Sequence, residues 1–257
     1  MKLSDLIVYE DEALIVINKP AGLIVHPDGR NDFETLSEMI LVEHPQMKYV
    51  GEPLTLEDGS IIMRPGIIHR LDKDTSGVML LAKTQDVYHN LKNQFQKHIV
   101  KKHYTAIVFG SFRHTRGQVD QVIGRSNQDI RKWAAGVHAR GEKRESSTLY
   151  SVKESFKINS QDGQPCSLSI VDIYPQTGRT HQIRVHMQYI QHPVIGDDLY
   201  ADYLPKFTGV NRQMLHASDI TIVHPLTNKK VNFSVPLAND MQEFINELLN
   251  IKNGTDE

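Results

Sequence analysis

One cysteine, Cys166, stands in 257 residues. A lone thiol rules out an intramolecular disulfide and any cysteine-cluster metal site, and it fits a reducing compartment. Its neighbours in CSLSIVDIY alternate as a strand does, so Cys166 reads as a small packed residue. Long apolar runs are missing too. The longest near the start, Ala13 to Ile17, is far too short for a signal segment or a membrane span, and it follows an acidic flank. A cytoplasmic protein without a membrane partner is expected.

Net charge is nearly absent, at -2. The whole chain therefore gives no sign of a polyanionic partner, but its distribution is uneven. From Arg113 to Arg144 there are eight Lys or Arg against three Asp or Glu, a local balance of +5 that leaves -7 elsewhere. One basic face on an acidic body could steer phosphate; a solvated connector has the same composition.

Several catalytic signatures are also missing. Neither GxxxxGK[ST] nor GxGxxG occurs, so a nucleotide cofactor has no support, and no other cofactor is expected. HExxH is absent, and His181 and His186 are five apart, on different faces of a helix, so no metal is expected despite 13 histidines. GxSxG is absent, which sets aside a serine hydrolase. Without an internal repeat or a proline-rich linker, residues 1–257 read as one domain, with a core over 6–236 and a terminal helix at 241–249.

What is present is many short strands and a few helices. Leu14 to Asn18 reads as a strand ended by Lys19-Pro20-Ala21-Gly22 and resumed at Leu23 to Val25. Thr35 predicts the cap of a helix within Asn31 to His44, and Thr84 to Asp86 the cap of another over Val87 to Lys97. Lys101 to Gly110 is a strand with Tyr104 near its start. Gly117 to Arg144 supports no long element and reads as a mobile segment. Thr148 to Phe156 and Cys166 to Tyr174 predict a hairpin around Asn159 to Gly163. Thr180 is the expected N-cap of a helix from His181 to Gln191, after which PVIGDDLY is a loop. Asp219 to Val223 and Val231 to Val235 flank a turn, and Met241 to Leu249 closes the chain as a helix. The sum predicts an α+β fold with a largely antiparallel sheet.

The densest stretch is HRLDKDTSGVMLLAK, His69 to Lys83. A polar turn, with Asp74, Thr75 and Ser76 able to bond the backbone, runs through Gly77 into an apolar strand, Val78 to Ala82. Asp72 could serve as nucleophile, general base or ion-pair anchor. An ionised carboxylate in a dry site costs several kcal/mol by the usual desolvation estimate, which a guanidinium offsets. Arg184, beside the apolar stripe Ile183, Met187 and Ile190, is the candidate.

HRLDKDTSG resembles the signature of the RluA-type family of pseudouridine synthases. Five further blocks follow that family's order: INKPAGLIVHP, KKHYTAIVFG, TGRTHQIRVHM, HPVIGDDLY and MLHASDITIVHP, so the resemblance spans Leu6 to Pro236. It implies the pseudouridine synthase fold, a bent, mixed, mostly antiparallel sheet flanked by helices. It implies isomerisation of uridine in ribosomal or transfer RNA, by a monomer without a cofactor. It also makes Asp72 the catalytic aspartate, as nucleophile or base, Arg184 its partner, and Tyr104 the residue that stacks on the target base. Arg70 enters the RNA where the base has left; Lys19, Arg179 and His181 complete the expected substrate-binding set. Many relatives carry an S4-type domain before the catalytic one, for which the early NKP block leaves no room. Two other readings are an RNA-binding module without turnover and a glycoside hydrolase using Asp72 and Asp74.

Overall fold

The computed structural model describes residues 1–27, 34–55, 59 and 61–254. The chain gathers into two compact units, Met1–Lys101 with Ala217–Pro236, and Lys102–His216 with Leu237–Glu257. One domain is expected from the sequence, in which no linker marks the division. Two of the three boundaries fall inside strands Lys101–Phe109 and Leu215–Val223, where composition does not change.

The first unit holds strands β1 (Ile7–Glu10), β2 (Leu14–Lys19), β3 (Leu54–Thr55), β4 (Ile61–Ile62) and β5 (Ser76–Ala82), with helices α1 (Leu36–Glu43) and α2 (Gln85–Gln96). The chain returns to it as β13 (Leu215–Val223) and β14 (Lys230–Ser234). β2 pairs antiparallel with β1 on one side and with β5 on the other, from Leu14 opposite Ala82 to Lys19 opposite Gly77. β13 lies next to β5 and pairs antiparallel with β14. β5 is a central strand covered on both faces along its whole length, which is why Val78 to Ala82 is an unbroken apolar run. Gly77 has φ 122°, and a Cβ there would stand 2.2 Å from the Ala217 carbonyl oxygen. Only glycine fits where β13 comes this close.

Both helices start as expected. Thr35 caps α1 in a reciprocal box with Glu38, and Thr84 caps α2 by accepting from Val87 N–H. Residues 31–33, at the start of the stretch expected to hold this first helix, lie outside the described residues. Leu23 to Val25, expected as a strand, is not one. Its Ile24 and Val25 carbonyls accept from the Leu36 and Ser37 N–H groups, so its backbone is used to satisfy the exposed first turn of α1.

The second unit holds β6 (Lys101–Phe109), β7 (Arg116–Asp120), β8 (Ile123–Ser126), β9 (Trp133–Ala135), β10 (Ala139–Arg144), β11 (Ser147–Asn159) and β12 (Pro165–Pro175), with α3 (Gln182–Tyr189) and α4 (Asn239–Gly254). β6, β12, β11 and β7 are neighbours in that order, all antiparallel. Alternation along β6 sends Tyr104, Ala106 and Val108 into one core with Ile183 and Met187 of α3, and Ile107 and Phe109 into another with Phe244 and Leu248 of α4. Cys166 packs at the edge of the second core, as its pattern suggests.

The segment expected to be mobile, Gly117 to Arg144, instead completes β7 and then forms a small antiparallel sheet in the order β10-β8-β9. Its strands are too short for a period to register, and its core comes from far away. Ile123 and Ala135 pack on Val185 of α3 and on Tyr200. The expected cap of α3 also moves by one residue: His181 is the N-cap, at φ 55°, and no side chain caps the helix. Strand and helix content is α+β with largely antiparallel pairing, as expected. Among the described residues no helix is long and apolar enough to cross a membrane.

Candidate active site

In the first unit the site is a turn held from beneath. Thr75 N–H donates to the Asp72 carbonyl, which closes a four-residue turn with Lys73 and Asp74 at its tip. Leu71, Thr75 and Ser76 are buried around it, while Asp72 is half-buried. His69 fixes the entry. Its ring stacks on Phe95 of α2 at 5.0 Å, and its Nε2 accepts from Leu80 N–H of β5, which puts the ring proton on Nδ1.

Lys19 lies under this turn. The residue is 0% exposed, and its ammonium donates to the carbonyls of Pro20, Leu23 and Lys73 at 2.8–2.9 Å. Gly22 N–H also donates to the Lys73 carbonyl. The NKPAG turn and the Asp72 turn are thereby tied through one cation. An ammonium enclosed in this way has no surface for substrate, so Lys19 moves from the expected substrate contact to support of the loop.

Arg70 is exposed at the edge of the same turn, with Nη1 donating to His26 Nε2 at 2.6 Å. His26 is buried, and its Nδ1 faces the Pro27 carbonyl at 3.2 Å. A ring that accepts from a guanidinium must be neutral. Desolvation, followed by the Arg70 charge, holds His26 below the usual histidine value. His26 was not singled out from sequence, although it sits in the VHP of the first block.

In the second unit the site is the helix α3, in which every side chain from Gln182 to Met187 is buried. Ile183 and Met187 face the β6–β12 core, and Val185 faces the small sheet. Arg184 is consequently 7% exposed rather than at the margin expected from its stripe. Its guanidinium forks onto Asp197, Nε to Oδ2 at 2.6 Å and Nη2 to Oδ1 at 2.8 Å. Asp197 Oδ1 also accepts the N–H groups of Leu199 and Tyr200, and the Tyr200 ring lies 5.0 Å from the guanidinium carbon. Charge, hydrogen bonds and a π face together stabilise a buried cation. Asp197 and Tyr200 were passed over as loop residues; the signal available was that a buried arginine needs a carboxylate, and GDDLY offers one.

Tyr200 is 1% exposed and also serves its neighbours. Its hydroxyl accepts Trp133 N–H at 2.9 Å and lies 2.9 Å from His181 Nδ1, so a phenol proton donated to that nitrogen satisfies all three groups. His181, at positive φ, is thus held through its ring at the entrance to α3. A polar network runs along the opposite side of the helix. His186 is buried between Thr148 Oγ1 and Ser146 Oγ, each at 2.9 Å, and burial pushes it down to about 4. Gln182 reaches Thr148 Oγ1, the Ser147 carbonyl and Thr177 Oγ1, and receives Arg179 N–H. Arg179 itself is half-buried and donates through Nε to the Glu145 carbonyl. Tyr104, half-buried on β6, shares its sheet face with α3.

Of the expected site residues, Lys19, Arg70 and Asp72 belong to the first unit, and Tyr104, Arg179, His181 and Arg184 to the second. The basic segment carries most of its cations on the small sheet and its connections. Arg125 lies over the Trp133 ring at 4.5 Å, while Arg131 and Arg144 are matched by Asp129 and Glu142. Among the described residues no cluster of His, Cys, Asp and Glu is arranged to hold a metal ion.

Known proteins match most of the chain. Residues 13–189 match the sequence profile described as RNA pseudouridylate synthase. An uncharacterized RNA pseudouridine synthase of Bacillus subtilis is 36% identical over 248 residues, covering 96% of this chain and 73% of that protein. A ribosomal large subunit pseudouridine synthase D of Blochmanniella floridana is 35% identical over 252 residues, covering 93% and 71%. Among solved structures, the human RNA pseudouridylate synthase domain containing 4 superposes with a TM-score of 0.67 at 25% identity, covering 96% of this chain and 94% of that one.

Proposed function

The chain belongs to the RNA pseudouridylate synthase family, and from that membership we propose that it isomerises uridine to pseudouridine in ribosomal large-subunit RNA, with Asp72 carrying the chemistry. The observation that supports this most is the match over residues 13–189, which encloses Asp72, Tyr104 and Arg184. Ribosomal RNA is chosen because relatives at 35% and 36% identity are named large-subunit synthases.

In the proposed reaction the bond from the ribose C1′ to uracil N1 breaks, the base turns, and C1′ is joined to C5. The hydrogen lost from C5 is balanced by one gained at N1, so no oxidant or energy source is consumed. Asp72 acts on the ribose, either as a nucleophile that holds the sugar while the base turns or as a base that removes a proton from it. Arg184 is assigned as the cation of the reaction, and its fork on Asp197 fixes where its charge stands.

A uracil leaving its stack costs a few kcal/mol. Stacking on Tyr104 returns about 1 to 3 kcal/mol, and Arg70, aimed by His26, fills the vacancy. Arg179 and His181 contact the RNA from the loop before α3, and Lys19 positions the Asp72 turn. The two units work as one catalytic domain, in a cytoplasmic monomer. Pseudouridine mapping of ribosomal and transfer RNA from cells lacking the protein tests the assignment. Loss of one or a few sites in large-subunit RNA is expected; loss confined to transfer RNA would overturn the choice of substrate, and no loss anywhere would overturn the activity.

A further inference from the structure

Two cations in the second unit stand beside one another without an acid. Lys102, half-buried on β6, donates from Nζ to the Thr177 carbonyl at 2.7 Å. Arg179 sits two residues further along that loop and uses Nε on the Glu145 carbonyl. Among the described residues neither has a carboxylate partner. Burial of the ammonium, followed by repulsion from Arg179, pulls Lys102 down to about 8. The basic small sheet differs, because Arg131 and Arg144 already have acids of their own.

The loop that joins the two is open above the ammonium. A Cβ placed on exposed Gly178 would meet nothing but Lys102 Nζ, at 3.6 Å, so the loop backbone is bare above the ammonium. Lys102 and Tyr104 are two residues apart on β6 and share a face, about 7 Å along the strand. A base stacked on Tyr104 would carry its own or its neighbour's phosphate to this place.

We propose that Lys102 and Arg179 form a binding site for one phosphodiester of the RNA backbone, next to the nucleotide being modified. The site rests on the functional reading above, since an RNA must be bound for its phosphate to be gripped. A singly charged phosphodiester matches two adjacent cations: the ammonium acts as a point charge, and the free edge of the guanidinium supplies directed donors. It also replaces the mutual repulsion of the pair by attraction, and it fixes the flipped nucleotide by its backbone, independent of sequence.

The test pairs a charge removed from the protein with a charge removed from the RNA. An RNA fragment bound by the wild type is prepared with an uncharged methylphosphonate at one linkage at a time around the target uridine. Wild-type affinity should fall about tenfold at one linkage. Lys102→Met and Arg179→Gln should each bind the native RNA about threefold more weakly and lose correspondingly less than the wild type at that linkage, and the double variant should lose nothing more there. Arg179→Lys should retain the linkage dependence, which separates lost charge from lost folding. Variants that bind native RNA as well as the wild type, or that lose the same further factor at every linkage, would overturn the site. Pseudouridine is counted in the same wild-type samples. Turnover without any linkage dependence would leave the enzyme reading standing and remove the site, whereas the linkage pattern without turnover would do the reverse.

Discussion

The Asp72 turn and the Arg184 helix are held in opposite ways. The turn is tied by backbone carbonyls gathered on one buried ammonium, with the Thr75–Asp72 turn bond across it, and most of its anchors lie within a few residues of two short motifs. The helix is held by side chains that arrive from elsewhere in the second unit: Asp197 and Tyr200 from a later loop, Thr148 and Ser146 from β11 and the residue before it. A backbone-held turn can be recognised from a contiguous stretch. A cation held by remote side chains cannot, because nothing local says which carboxylate will reach it.

The contrast can be broken by mutation. Asp197→Ala takes the fork from a buried guanidinium and the acceptor from two N–H groups. It should cost about 3 to 5 kcal/mol in denaturant unfolding; a loss under about 1 kcal/mol would mean that α3 does not depend on this remote partner. Lys19→Met strands three carbonyls at once and should cost about 3 kcal/mol, with hydrogen exchange rising across residues 70–75. Unchanged exchange there would show that the turn holds itself.

The third prediction concerns pH and belongs to the second unit. His186 titrates at about 4 in the folded protein and near the ordinary histidine value when unfolded. The unfolded state therefore binds more protons between these values, and stability that is fully present above pH ~6.5 is lost as pH falls toward 4. At pH 5 the loss should be about 2 kcal/mol. His186→Gln should flatten that part of the stability profile; an unchanged slope would assign it to other groups.

Where a short pattern decides, the sequence was enough. β2, β5, α1 and α2, the long hairpin β11–β12 and the final hairpin all lie close to where alternation, caps and turn residues put them. Asp72, Tyr104 and Arg184 stand out as candidates because each sits in a dense block. The small sheet was not legible, since strands of three to six residues leave no period and Tyr200 and Val185, which cover them, are over forty residues away. Lys19 was misread for the same reason: its distant acceptor, Lys73, lies 54 residues on. His26 was hidden because a buried neutral histidine and a surface one look alike until the arginine it orients is found.

The central claim is that Asp72 performs the isomerisation. Wild-type protein and Asp72→Asn are to be compared on the same ribosomal RNA fragment, with pseudouridine counted and RNA binding measured in the same samples. Aspartate and asparagine have nearly the same shape, so binding should be retained while turnover falls about a thousandfold or more. Equal pseudouridine from both proteins would contradict the account.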